Sequence, residues 1–173
     1  MNIHDILADM ASRPVQAADA VIDGISLETL HAMPEGRGNS IAWLIWHSGR
    51  QMDVQLAGLT GTEQVWQLGR WAERLGIDAS PTDFGLGHNA QEVAAIRVDD
   101  AGALCDYLAA VVEAVKQYTR QLSETDLDDV VDDSWDPPTT RGVRIVSMID
   151  DAAVHVGQAA YVRGLIERWS IGV

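Results

Sequence analysis

Apolar residues recur at helical spacing in four stretches of this chain. In the first, from about Asn2 to Ile22, Ile3, Ile6, Leu7, Met10, Ala17, Ala18 and Val21 fall near a 3.6-residue period. Pro14 lies inside it and is expected to bend or split the helix. The second stretch, Ser40 to about Leu59, opens with the nearly all-apolar run Ile-Ala-Trp-Leu-Ile-Trp, which predicts burial on every side at that end, with Asn39 as its N-cap. The third begins near Asp99 and Asp100, acidic residues suited to a helix N-terminus, and carries a stripe of Leu104, Leu108, Val111, Val112 and Val115 towards Leu122. The fourth covers about Val143 to Arg168, beyond a segment in which Pro137 and Pro138 force extended backbone. Residues 123–129, Ser-Glu-Thr-Asp-Leu-Asp-Asp, read as a short helix or turn.

Thr60 to Val98 separates the second and third helices and is too long for a simple bundle loop. Its glycines, Pro81, and short helical pieces around Trp66–Leu75 and Ala90–Arg97 predict a crossover folded over one end of the bundle. The pattern as a whole predicts an all-α protein, a four-helix bundle with a long crossover between helices two and three, forming a single domain over residues 1–173.

Composition narrows the partners. The 173 residues are 47% hydrophobic and 22% charged, ordinary globular values, and no stretch approaches the ~18–20 apolar residues of a membrane span. A formal charge of −14 opposes both the phosphates of nucleic acid and anionic membranes, so neither is an expected partner. The N-terminal segment carries acidic residues where a signal peptide has basic ones. The one cysteine, Cys105, excludes an intrachain disulfide and suits a reducing compartment. Both features lead to the expectation of a cytoplasmic protein.

Candidate chemistry concentrates on the fourth helix. Asp151 and His155 are four apart and share a helix face, a spacing at which two side chains can grip one metal ion. Gln158 follows on the same face. Ala152, Ala153, Gly157, Ala159 and Ala160 are small enough to let another helix approach and bring a third ligand. His47, on the most apolar helix, is the candidate for that third position. The same residues read equally well as two core histidines bonded to carbonyls or carboxylates and a salt-bridged aspartate, and the spacing alone leaves both readings open.

The remaining residues carry weaker signals. His88, in Gly-Leu-Gly-His-Asn, reads as an exposed loop histidine ahead of one that lines a site mouth, and His4 and His31 read as surface residues. Cys105 reads as a core residue, and Trp43, Trp46, Trp66, Trp71 and Trp135 mostly as packing. Arg144 and Arg163 are expected to pair with surface acids. No Gly-x-Ser-x-Gly, Walker loop or Gly-x-Gly-x-x-Gly occurs, so hydrolase-elbow, NTPase and dinucleotide readings lack support.

Three segments together, Asn-Ser-Ile-Ala-Trp-Leu-Ile-Trp-His from Asn39, Trp-Asp-Pro-Pro from Trp135, and Gly142 through Gly164 with its Asp-Asp-x-x-x-His-Val-Gly-Gln, resemble the DinB superfamily. More narrowly they resemble an actinobacterial branch related to mycothiol-dependent metalloenzymes. The resemblance implies a four-helix bundle holding a divalent metal, often zinc or nickel, on three side chains. The usual set is one histidine on the second helix and a His-x-x-x-His pair on the fourth. Carried over, these positions fall on His47, Asp151 and His155, with Asp151 standing where the family has its middle histidine. The resemblance implies a thiol S-transferase or isomerase with mycothiol as cofactor and an electrophile as substrate, in a homodimer. The alternative is a non-catalytic metal- or ligand-binding bundle of a stress response. It names no catalytic or cofactor-binding residue beyond the metal set.

Overall fold

The computed structural model describes residues 2–172 and is built mainly of helices. In chain order they are α1 (Ile3–Ile22), α2 (Leu27–His31), α3 (Ile41–Thr60), α4 (Val65–Leu68), α5 (Trp71–Leu75), α6 (Ala90–Ala95), α7 (Ala101–Thr119) and α8 (Arg141–Glu167). A two-stranded antiparallel ribbon, β1 (Val130–Asp132) with β2 (Thr139–Thr140), leads into α8. The long helices start where side chains can accept their first amides. Asn2 accepts from Asp5 N at 2.9 Å while the Asp5 carboxylate accepts from Asn2 N at 3.1 Å, and Ser40, Asp100 and Thr140 cap α3, α7 and α8. The cap of α3 is thus Ser40, one residue beyond the Asn39 expected, because the Ser40 hydroxyl is the one placed to accept Trp43 N, at 3.1 Å. Pro14 does not split α1. It removes one amide donor, yet the helix runs unbroken with the ring buried on its core side.

The helices α1, α3, α7 and α8 form the bundle. α3 packs against α7 and α8, and α1 packs against the same two, so that α1 and α3 stand on one diagonal. Trp46, Ile41, Leu44 and Ile45 fill the centre from α3, meeting Leu104, Tyr107 and Leu108 of α7 and Ile145, Met148 and Ala152 of α8, all 0–1% exposed. Gly49 lets the Tyr107 ring lie directly on α3, since a Cβ there would stand 2.7 Å from its Cε1. Among the described residues no helix is long and apolar enough to cross a membrane.

The crossover is pinned by a buried polar network. Arg50 and Asp53 of α3 are 0% and 1% exposed, an Arg–Asp pair three residues apart in a helix that opens on an apolar run. The Asp53 carboxylate accepts Val65 N at 2.8 Å and Trp66 N at 2.7 Å, holding the start of α4, and accepts the Tyr107 hydroxyl at 2.8 Å. The Arg50 guanidinium donates to the carbonyls of Pro81 at 2.8 Å and Asp83 at 3.0 Å and to Gln64 Oε1 at 2.9 Å. Five fixed donors on one planar group let a single side chain hold a loop that has little regular structure. The expected helical piece Trp66–Leu75 is two pieces, α4 and α5, broken at Arg70, whose φ of 50° no helix accommodates. Trp66 and Trp71 are buried, packed on Tyr107 at 5.2 and 5.3 Å between ring centres.

Trp135 corrects the expectation that it packs. It lies in the turn between β1 and β2 and is 66% exposed. Arg163 also departs from the surface role expected. It is 5% exposed and donates to the carbonyls of Val21 and Asp23 at 2.7 and 2.8 Å, while pairing with Glu167. Arg144 pairs with Asp132 at 2.8 Å as expected of it.

Candidate metal centre

The bundle brings His47 of α3 to Asp151 and His155 of α8. His47 Nε2 lies 3.8 Å, and His155 Nδ1 3.5 Å, from Asp151 Oδ2. The two imidazole rings meet edge to face, 4.5 Å between centres. One ligand atom from each residue falls within a set no wider than 4.8 Å, the arrangement in which three such side chains could hold a metal ion. Bonds of ~2.1 Å to nitrogen and oxygen require ligand atoms about 3–3.6 Å apart, so only small side-chain rotations separate this cluster from a coordination shell.

The hydrogen bonds around the cluster fix which nitrogen of each ring carries the proton. His47 Nδ1 donates to the Phe84 carbonyl of the crossover, leaving Nε2 with its lone pair towards Asp151. His155 Nδ1 donates to the Asp151 carbonyl at 2.8 Å, leaving its Nε2 as the acceptor nitrogen. Asp151 Oδ2 is buried and has no hydrogen-bond partner among the described residues. A buried carboxylate oxygen without a donor is costly, and a cation held between the two imidazoles would satisfy it. Burial, the largest cause, holds the His47 imidazole below the usual histidine range, with the Phe84 carbonyl and Asp151 opposing it and His155 adding to it. The sign favours ligation, because the neutral imidazole that binds a metal then persists to lower pH than in a free histidine.

The cluster is shut on the α3 side and open on the α8 side. The His47 side chain is 8% exposed, His155 18% and Asp151 39%. Trp43 lies flat against His47, 4.7 Å between centres and 7° between planes. Gly85 closes the roof. Its φ of +93° lies in the region that favours glycine, and a Cβ would come within 2.9 Å of Trp43 and 3.1 Å of both His47 Nδ1 and Trp46. Gly85→Ala is therefore expected to destabilise the fold by about 1–3 kcal/mol in urea denaturation. A change under about 0.5 kcal/mol would show that the roof is loose.

His88 belongs to this surround, at the site mouth, the second of its two readings, and not in an exposed loop. Its Nδ1 accepts from Trp43 Nε1 at 3.1 Å and its Nε2 meets Asp83 Oδ1 at 2.9 Å, with only 12% of the side chain exposed. His31 and His4 are half-buried and bond backbone groups far along the chain, Val98 N and the Thr119 carbonyl. Gln158 is exposed and outside the cluster, and of the small residues around it only Ala152 and Ala159 are in the core. Cys105 is a core residue, as read, and burial followed by the nearby Asp19 pushes its thiol up to about 12. It is not a nucleophile at neutral pH. The Arg50–Asp53–Tyr107 network and the His88–Asp83 pair are what sequence reasoning missed. Only the Arg50–Asp53 spacing on a helix that opens on an apolar run gave a visible sign.

Comparison with known proteins agrees with this architecture. The chain matches the DinB superfamily model over residues 12–159. A solved structure, that of a conserved protein from Enterococcus faecalis, is 33% identical and superposes with a TM-score of 0.90, over 98% of this chain and 99% of that one. No curated protein matches.

Proposed function

This chain belongs to the DinB superfamily, and on that premise we propose that His47, Asp151 and His155 hold a divalent metal with which the protein activates a low-molecular-weight thiol for transfer to an electrophile. The observation that carries the reading is the buried Asp151 Oδ2, set between two imidazoles with no donor of its own among the described residues. Three protein ligands leave coordination positions open, the arrangement of a catalytic rather than a structural site. An ion bound there, zinc or nickel, supplies Lewis acidity that keeps a thiol deprotonated near neutral pH.

The chain's own residues prepare the rest. Phe84 and the Asp151 carbonyl hold both histidines in one tautomer. Trp43 and the Gly85 backbone keep water from the His47 side, and the exposed edge at Asp151 is where a small molecule can approach. Since Cys105 is buried and far from ionising, the reacting sulfur must come from outside, and mycothiol is the thiol we propose. Asp151, in place of a histidine, adds negative charge that lowers Lewis acidity, so turnover is expected to be slower than at a three-histidine site.

The test loads the protein with zinc and, separately, with nickel, and follows conjugation of mycothiol to monobromobimane. Sulfur bonds the bromomethyl carbon, bromide leaves, and the thiol proton passes to solvent. Faster conjugation by loaded than by metal-free protein is the expected result. Equal rates across a panel of thiols that includes bacillithiol and glutathione would reject the transferase reading in favour of a binding role.

A further inference from the structure

Gly58 stands in the last turns of α3, where a glycine weakens the helix relative to alanine. Nothing inside the protomer requires it. Its φ lies outside the region that favours glycine, and a Cβ there would meet no atom within 4 Å. It lies instead on the wall of a cavity of about 480 Å³ between α3, β1 and the start of α8, a volume suited to a small molecule. Leu59 and Val131 give the cavity an apolar side, and Gln55, Asp132 and Arg144 a polar one. The cavity shares its two long helices with the metal cluster. His47 meets Asp151, Gln51 donates to the Met148 carbonyl at 2.9 Å, and Arg144 donates to Gln55 Oε1 at 3.4 Å, so α3 and α8 run antiparallel from one site to the other. At a rise of 1.5 Å per residue the two sites lie about 11 Å apart.

Charge decides the class of occupant. Arg144 pairs with Asp132 at 2.8 Å, and Arg141, the other cation on the cavity wall, pairs with Asp129 at 3.0 Å, so each guanidinium is already neutralised. The −14 charge of the chain repels an anion further. Hydrogen-bonding capacity nevertheless remains. Arg144 engages only two of its five N–H groups, and Gln55 and Asp132 keep acceptor lone pairs. Donors and acceptors beside an aliphatic side, without net charge, match a neutral ring with hydroxyls on its edge and C–H groups on its face. The geometry points to this cavity as a binding site for a polyhydroxylated ring, a sugar or a cyclitol. Arg144, Gln55 and Asp132 bond its hydroxyls, and Gly58 leaves the space it fills. Such a ring arrives either free or as one end of the thiol brought to the metal, and only the second source rests on the metal reading.

Two arms test this. Saturation-transfer NMR of the metal-free protein with methyl glucoside and with myo-inositol reads the free ring. Titration of the zinc-loaded protein with mycothiol and with N-acetylcysteine, which has no ring, reads the thiol-borne one. Saturation of ring protons in the first arm, or at least about tenfold tighter binding of mycothiol in the second, is expected. Gly58→Leu, a better helix former that fills the cavity, should abolish whichever signal is seen, with zinc affinity unchanged and a urea midpoint no lower than the parent's. The first arm contains no metal, so failure of the metal site and failure of this one are told apart. Neither signal in the wild type, a signal that survives Gly58→Leu, or a response to acetate in place of the rings would each overturn the proposal.

Discussion

Alanine at His155 is expected to abolish stoichiometric divalent-metal binding while leaving the bundle folded. The side chain is largely buried, at 18% exposed, but its one hydrogen bond is to a carbonyl in its own helix, so its loss leaves no group on another element without a partner. What it removes is one of three ligand atoms gathered within 4.8 Å. Two ligands, His47 and Asp151, cannot hold an ion against water as three do, and an affinity loss of about a hundredfold or more follows. Isothermal titration with zinc and nickel measures it, beside circular dichroism to show the helices intact. Asp151→Asn keeps the shape and removes the charge. It too should weaken binding, and it should also ease the burial of an oxygen that has no donor among the described residues. A His155→Ala protein that binds as tightly as the parent would place the ion elsewhere.

The second large effect concerns what holds the crossover over the cluster. Arg50→Ala is expected to cost about 3–5 kcal/mol of folding stability, the penalty for breaking a buried ion pair from one side. Arg50 is fully buried, 3.6 Å from Asp53, and bonds three carbonyls and a side chain of the crossover. Burial already pushes the Asp53 carboxyl above its usual range, against the pull of its hydrogen bonds and of Arg50. Without the guanidinium that penalty grows. Loss of the contact with the Asp83 carbonyl also loosens the segment carrying Phe84 and Gly85, so metal affinity should fall in the same variant although Arg50 touches no ligand. The control Arg50→Lys keeps a charge and loses the fork, and should recover part of the stability. Urea denaturation reads both, and a loss under about 1 kcal/mol would show that the crossover is held by its tryptophans instead.

The four long helices and the shared face of Asp151 and His155 were legible because both rest on local spacing, while joining His47 to that pair as a ligand set rested on the resemblance to the DinB superfamily. The stripe of α7, the apolar opening of α3 and the Asp151–His155 interval each lie within a few turns of one element. His47 could be singled out for the same reason, as a polar ring in an apolar run. The roof was not legible. Phe84, Gly85 and His88 reach the cluster only because Arg50 holds the crossover, and its bond to the Asp83 carbonyl spans 33 positions that no periodicity records. Trp135 shows the opposite failure. Large aromatics are usually buried, but this one sits on a ribbon turn and faces outward. Gly157, whose small size suggests room for a helix within the bundle, also faces outward, because a helix wheel gives the relative faces and not which of them the core takes.

The central claim, that His47, Asp151 and His155 form one divalent-metal site, is tested most directly by elemental analysis of the untagged protein after dialysis against zinc and then against metal-free buffer. About one ion per chain is predicted, falling to near zero when His47, Asp151 or His155 is replaced. Less than about a tenth of an ion in the wild type, or a full equivalent retained by all three variants, would contradict it.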